Sequence, residues 1–354
     1  MSLITVLYNP DNVALQHSLF PFVAGRLRDR FVFVRSIDDA LRVRNSPSIM
    51  LVRYTRSEEY KARPHERIAA LRNRFERLAF FDDAASAAAL DVTLLGAADF
   101  YYKKQLLIDR QRLLDPRPGK RAFTEHNTET PSTTAGAQPL GDASYAQKIQ
   151  RIRVSWNLGI GSLPRSKRTK AAVFRFEEFF GPKPLRLLYR TTWRRSRSVP
   201  TGDFISARWK TDLGNSDVRS HRLRFLERVE NHASFRTGLV HQREYNRELK
   251  NAFATLSPFG FGEVCYRDFE AAIFRSCLIK PDMSHVETWP DIYLPHQSYV
   301  PVKWDASDVI ETAEELLRDR PRARRIAENA FDILSDAYNH LDERVEMIVK
   351  DLLG

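Results

Sequence analysis

The chain has 354 residues, 43% of them hydrophobic and 29% charged, a balance that belongs to a globular protein and excludes a disordered or fibrous one. At roughly 150 residues per domain this length predicts two domains. No run approaches the roughly 18 apolar residues of a membrane span, and the opening MSLITVLYNPDN lacks a charged n-region before an apolar h-region, so neither an integral membrane nor a secreted protein is expected. Cys265 and Cys277 are the two cysteines, which excludes a disulfide framework or cysteine-rich zinc module and makes the cytoplasm the expected compartment. The net charge of +11 predicts an anionic partner: nucleic acid, a membrane surface or a phosphorylated small molecule.

LITVLYNP reads as a buried first strand closed by an Asn-Pro turn. A helical pattern through Leu15, Leu19, Phe22, Val23 and Leu27 follows, then FVFVRS as a strand, IDDALRVRN as a helix and SIMLVRYT as a strand. This alternation is the signature of a parallel α/β sheet. His65 to Leu78 predicts a charged amphipathic helix, LAFFDDAAS a strand ending in Asp82 and Asp83, and DVTLLGAADFYYKKQLLIDRQRLL completes the half. Lys103, Lys104, Asp109 and Arg110 are expected on one charged helix face.

From Arg117 to Gln147 the composition turns to Gly, Pro, Ser, Thr and Asn, as in a linker or long loop. IQRIRVSWNLGIG is then expected to open a second α/β unit near Lys148. Between Pro164 and Val199 the basic residues, Arg165 to Arg197, far outnumber Glu177 and Glu178. Such a stretch is a solvated face, an anionic-lipid or phosphate contact, or a nucleic-acid surface. SHRLRFLERVENHA and EYNRELKNA read as helices around a short strand, FRTGLVH. From Ala306 the chain is helical, and Ile326, Ala330, Phe331, Leu334, Tyr338, Leu341, Val345, Ile348 and Leu352 form an apolar stripe that must dock on the body of the protein.

The chemistry concentrates between residues 257 and 289. LSPFGFGEVCYRDFEAA reads as strand, glycine loop and helix, with Pro258 ending the strand and the helix starting near Glu263. Gly260 and Gly262 permit close backbone approach, and a loop running into a helix N-terminus offers free N–H groups to a phosphate or pyrophosphate. Arg267 and Glu270 share a helix face, where an arginine can meet phosphate and a carboxylate can accept sugar hydroxyls; an ordinary intrahelical Arg–Glu pair at a plain turn reads the same way. The strand SCLIKPD ends in Lys280 and Asp282, and Ser284, His285, Glu287 and Thr288 follow at what should be the carboxyl edge of a parallel sheet, where ligands bind.

FGEVCYRDFEAAIFRSCLIKP resembles the donor-binding segment of group 1 type GT-B glycosyltransferases. Glu270 falls where the second glutamate of that class's E-x7-E motif lies; Gly262 occupies the first place and Glu263 stands one residue late. FFDDAAS, ADFYYKKQLLIDR, IRVSWNLGIG, LIKPDMSHVETWPD and YVPVKWDASD extend the resemblance, to bacterial group 1-like glycosyltransferases encoded with surface-polysaccharide genes. Ala85 stands where an acidic residue is common in that family.

The resemblance implies a GT-B architecture, two Rossmann-like domains facing across a cleft with C-terminal helices. Residues 1–117 would be the acceptor side, 118–147 a linker or mobile loop, 148–320 the nucleotide-sugar domain and 321–354 a helix docking on the body. It implies sugar transfer from a nucleotide-sugar, a substrate and not a cofactor, to a hydroxyl of a surface-glycan acceptor such as lipopolysaccharide or a lipid-linked oligosaccharide. No bound metal is expected, because Arg267, Lys280, the glycine turn and, more weakly, Arg208 can stabilise the leaving diphosphate. The implied donor set is Arg208, Ser257, Gly260, Gly262, Glu263, Arg267, Lys280, Asp282, Ser284, His285, Glu287 and Thr288, with Glu287 accepting the ribose hydroxyls. Trp289 is read as a loop anchor. Asp82, Asp83 and Glu270 are the catalytic candidates, the aspartates as base toward the acceptor or as helix caps. A peripheral place on the inner membrane face follows from the basic segment. The rival readings are a nucleic-acid-binding protein and a GT-B sugar-nucleotide epimerase; HEXXH, Walker, GxSxG and CxxC patterns are absent.

Overall fold

The computed structural model describes residues 2–9, 17–114, 143–161, 179–183, 200–212, 214 and 216–354. The predicted linker lies outside them as far as residue 142, and the Arg165–Arg197 basic segment does so except for residues 179–183. The last residues assigned to the linker belong to a helix, Ala143–Gln150.

The first sheet contains β1 (Ile4–Tyr8), β2 (Phe31–Val34), β3 (Ser48–Val52), β4 (Arg77–Asp82), β5 (Phe100–Lys103) and β7 (Arg153–Val154), in the order β2-β1-β3-β4-β5-β7 and parallel throughout. Its central strands read ITVLY and SIMLV and are buried along their whole length, the continuous apolar pattern of strands covered on both faces. Short helices make the crossovers. Ser36 caps Ile37–Arg42 by accepting the Asp39 amide at 3.1 Å, and Pro64 opens Pro64–Arg74 at a position where its missing N–H costs nothing. That second helix stops at Arg74 rather than Leu78, because Leu78 is needed inside β4.

The segment expected to open the second unit instead supplies β7, the edge of the first sheet beside β5. Core packing explains this: the Trp156 indole lies 4.9 Å from the Phe22 ring and 4.7 Å from Phe81, in the first core. The second sheet begins at β8 (Ile205–Ser206) and adds β9 (Phe235–Arg236), β10 (Ala254–Leu256), β11 (Cys277–Pro281) and β13 (Val300–Val302), in the parallel order β13-β11-β10-β8-β9. A two-stranded antiparallel ribbon of β6 (Gln105–Leu107) and β12 (Val286–Thr288) joins the halves.

The C-terminal helices Val309–Arg318, Arg320–Asn339 and Leu341–Leu353 dock as the apolar stripe predicts. Ala323, Ile326 and Ala327 enter the second core; Leu341, Val345, Ile348 and Leu352 enter the first. Each fully buried aliphatic side chain there contributes on the order of 1.5–3 kcal/mol. The Leu352 carbonyl also accepts the Ser48 hydroxyl at 2.5 Å, and the Asp351 carboxylate accepts from Tyr102 and Arg153. Among the described residues no helix is long and apolar enough to cross a membrane.

Candidate functional site

Two sets of side chains meet where the carboxyl edges of the sheets approach one another. On the first sheet, β4 delivers Asp82 and Asp83, and β5 delivers Lys103 and Lys104. Asp82 and Lys103 are register partners, and Lys103 Nζ donates to Asp82 Oδ2 at 3.1 Å. Asp82 also accepts from the Tyr101 hydroxyl at 2.7 Å and the Ala84 amide at 2.8 Å. Asp83 accepts from Arg53 at 3.0 Å, and the Arg56 guanidinium lies 3.8 Å away. Lys103 and Lys104 are therefore not on a solvated helix face: both are buried, because a strand end points them into the sheet edge. Asp109 and Arg110 lie instead at a short helical turn.

A cavity of about 420 Å³ opens beside Asp82, with Thr55, Arg56, Ser86 and Asp91 in its wall and Phe261 reaching in from the second half. Asp91 holds the amide of Leu94 as a helix cap at 2.9 Å; burial, and secondarily the charge of Asp82, raises its carboxyl above the usual range. Asp91 was not singled out in the sequence, and its position immediately before an apolar helix was the available signal.

On the second sheet, Ser257, Pro258 and the Gly260–Gly262 turn follow β10. The turn closes through Gly260 N–H to Gly262 O at 3.0 Å. Two arginines brace it: Arg222 donates to Phe259 O at 3.0 Å and Arg267 to Pro258 O at 2.8 Å. Neither forms an ion pair with a described carboxylate, and burial together with the Arg267 charge pulls Arg222 down to about 10. Arg222 escaped sequence reading because nothing in SHRLRFLERV distinguishes it from its solvated neighbours. The following helix starts at Tyr266, not Glu263, because Cys265 and Asp268 form the capping box, Asp268 accepting the Cys265 amide at 2.8 Å.

Several expected donor residues have structural partners. Lys280 and Asp268 are both fully buried and pair at 3.1 Å, and Asp268 also accepts from Ser257 at 2.5 Å and Tyr293 at 2.7 Å. Arg208 grips Glu248 at 2.7 Å, and Glu270 accepts the Tyr245 hydroxyl at 2.6 Å. Ser284 donates to Asp282 at 2.5 Å. Glu287 and Thr288 lie on the ribbon: Glu287 pairs with Arg110 at 2.7 Å, and Thr288 donates to Lys104 O at 2.9 Å. Trp289 lies under the Arg344 guanidinium at 4.7 Å. His285 packs 4.8 Å from Trp304 with neither ring nitrogen hydrogen-bonded, and burial lowers its pKa.

The halves touch at the glycine turn. A Cβ on Gly262 would fall 1.5 Å from the Ala85 carbonyl, so only glycine fits this approach. Glu263, fully buried, crosses into the first half and accepts from the Ala87 amide at 2.9 Å, Gln105 at 2.8 Å and Ser86 at 3.4 Å. The structure thus brings Gly262 and Glu263 against the Ala85–Ala87 loop that follows Asp82 and Asp83, with Arg267 held on the Pro258 carbonyl of the same turn, while Arg208 and Glu270 pair off with the helix Gln242–Leu249. Among the described residues no group of three His, Cys, Asp or Glu side chains could hold a metal ion.

No protein-family model and no curated protein sequence matches the chain. Solved structures match in shape. A glycosyltransferase from Rickettsia africae aligns over 99% of this chain and 99% of its own, with a TM-score of 0.51 at 9% identity. The fold is GT-B. HepE from Anabaena, solved with UDP-glucose, covers 99% of this chain and 100% of its own with a TM-score of 0.48 at 9% identity.

Proposed function

We propose that the protein is a glycosyltransferase that binds a nucleotide-sugar at the Gly260–Gly262 turn and transfers the sugar to a hydroxyl presented by the first half. The observation that carries this reading is the braced turn: two guanidiniums with no carboxylate partner among the described residues, beside a capped helix N-terminus, directly opposite the Asp82–Asp83 loop. Developing negative charge on a leaving diphosphate is stabilised by such preorganised donors without reorganisation. HepE was solved with UDP-glucose and with UDP, which makes a uridine nucleotide the first donor to try. The Asp82 carboxylate already accepts from Lys103, Tyr101 and the Ala84 amide, whereas Asp91 faces the same cavity with its carboxyl raised by burial, so activation of the acceptor hydroxyl falls to Asp91 with Asp82 fixing Tyr101 between them.

The acceptor in this reading is a surface glycolipid, a lipopolysaccharide core or lipid-linked oligosaccharide, met at the inner face of the membrane. Its support is the net charge of +11 and the basic run from Arg165 to Arg197. Calorimetric titration with UDP, GDP, CDP and their sugar conjugates tests donor binding; binding by none of them refutes the assignment. Arg267→Ala should lower kcat/KM steeply in a folded protein, and wild-type turnover would remove Arg267 from the reaction. Nucleotide-sugar consumption that needs an added acceptor separates a transferase from an epimerase. Sedimentation with anionic and neutral vesicles across a salt series tests the membrane contact, which should fade as the Debye length falls to about 3 Å at 1 M.

A further inference from the structure

The first sheet reverses its winding between β1 and β3: from β1 the chain passes out to β2, then returns to place β3 on the other side. Open α/β sheets bind ligands at the carboxyl edge beside such a reversal. Arg53 stands there directly after β3, fully buried and in the left-handed backbone region at φ 58°, a conformation that persists in a non-glycine residue only where the surroundings hold it. His17, Asp82, Asp83, Lys103, Lys104 and Ser155 are buried at the same edge, and Arg56 borders it from the cavity.

The charges of this cluster do not balance. Lys103 has Asp82 and Arg53 has Asp83, while Arg56 shares Asp83 from 3.8 Å. Lys104 is only 3% exposed, and its ammonium makes no hydrogen bond or ion pair with a described residue. His17 Nδ1 and Ser155 Oγ are buried and have no hydrogen-bond partner among the described residues. His17 is held neutral by burial and by the charges of Lys104 and Arg53, and a neutral imidazole still offers one N–H. The Trp156 indole N–H on His17 O at 3.2 Å and the Ser155 amide on Lys103 O at 2.8 Å tie His17 and Ser155 to this edge. Asp83 and Asp82 act on the Lys104 ammonium through space without pairing with it, and Arg53, Arg56, Lys103 and Lys104 against these two carboxylates leave an excess of positive charge that an anion would complete.

We infer that this crevice is an anion site, separate from the glycine turn, that takes a phosphoryl or carboxylate group of the acceptor, a role that rests on the transfer reaction proposed above. Lys104 supplies the central charge, His17 and Ser155 supply neutral hydrogen bonds, and Arg56, with its side chain 44% exposed, meets the anion at the cavity mouth.

The test is calorimetry and thermal melting of the full chain with inorganic phosphate and, separately, glucuronate, against chloride at equal ionic strength. One of the two anions should saturate and raise Tm, phosphate identifying a phosphoryl group and glucuronate a sugar carboxylate. Lys104→Met should weaken that binding roughly tenfold or more, and Lys104→Arg should largely restore it. Without added anion, Lys104→Met should melt above the wild type, because it removes an unpaired buried charge. Binding of neither anion above the chloride control, undiminished binding by Lys104→Met, or a lowered Tm for that variant would overturn the site. Loss of the same binding in Arg267→Ala would move the ion to the glycine turn and overturn it equally. Nucleotide titration of the wild type is read independently: its failure sinks the transfer reaction and leaves the anion result standing.

Discussion

Lys280 was expected to contact a diphosphate, yet the structure gives it a different role that substitution distinguishes. Its ammonium lies 3.1 Å from Asp268 Oδ2, both side chains are fully buried, and Asp268 keeps three further donors: Ser257 at 2.5 Å, Tyr293 at 2.7 Å and the Cys265 amide at 2.8 Å. Removing one partner of a buried pair costs about 3–5 kcal/mol, since the other charge is left behind. Three surviving donors place Lys280→Met near the lower end, about 3 kcal/mol. For a cooperative unit of about 150–250 residues that corresponds to a fall of roughly 6–12 °C in Tm. The double variant Lys280→Met/Asp268→Asn removes both charges while retaining a side-chain carbonyl for the Cys265 amide, so it should recover much of the loss. Thermal unfolding of wild type, single and double variants in ligand-free buffer forms the cycle. If Lys280→Met melts within about 1 °C of wild type while nucleotide affinity collapses, the buried-pair reasoning is wrong and Lys280 is a ligand-binding lysine.

Burial is the largest influence on Lys104 and brings it from 10.5 to about 8; Asp83 and Asp82 pull the other way, while Lys103 and Arg56 add to the depression. The unfolded chain therefore holds a proton that the folded chain releases between about pH 8 and 10.5, so stability rises across that window and its deficit is fully present below it. Lys104→Met should flatten this rise in urea midpoints measured from pH 7 to 10; an unchanged slope would contradict it. Glu263→Gln should loosen the junction and speed hydrogen exchange at the Ala87 amide, and unaltered protection there would count against the contact. Gly262→Ala, whose Cβ would collide with the Ala85 carbonyl, should cost transferase activity while circular dichroism of the two cores stays native; full activity would show that the turn and loop need not meet.

Strands β1 to β4, β9, β10 and β11 were legible because continuous apolar runs and βα alternation are local signals, whereas β5 was read with a charged helix face and β8 and β13 are too short to signal a strand. What escaped depends on pairing between distant residues. Lys103 and Lys104, within YYKKQLL, carry no mark of burial; register sets Lys103 opposite Asp82, and the turn into β6 buries Lys104. IRVS looks the same whether it opens a second sheet or ends the first, and only Trp156 packing on Phe22 and Phe81 decides. The polar run from Ser284 to Thr288 was placed at a ligand-bearing sheet edge, but Val286 to Thr288 pair with β6 across the halves. Of the catalytic candidates, Asp82 and Asp83 were found at their strand end as expected, whereas Glu270 is engaged with Tyr245 and Arg222 was not foreseen.

The Glu263 contacts bear on how the two edges work together. A transfer reaction needs the acceptor hydroxyl, not water, beside the donor sugar, and a closed junction achieves this only if it can also part to admit ligands. All three hydrogen bonds to the Glu263 carboxylate come from first-half groups, while Gly262 lies against Ala85 and Phe261 extends into the cavity beside Asp82. Opening exchanges those bonds for bonds to water, and at a net 0.5–1.5 kcal/mol each Glu263 adds about 1.5–4.5 kcal/mol to the ribbon and apolar packing that also hold the halves together. A contribution of that size lowers the population of the parted state by a factor of roughly ten to two thousand, as RT near 0.59 kcal/mol requires. A contact much stronger would keep any ligand out together with water; one much weaker would leave the glycine turn wet. Glu263 therefore has the strength of a reversible clasp, and its place one residue after the close glycine puts that clasp on the same turn that Arg222 and Arg267 brace.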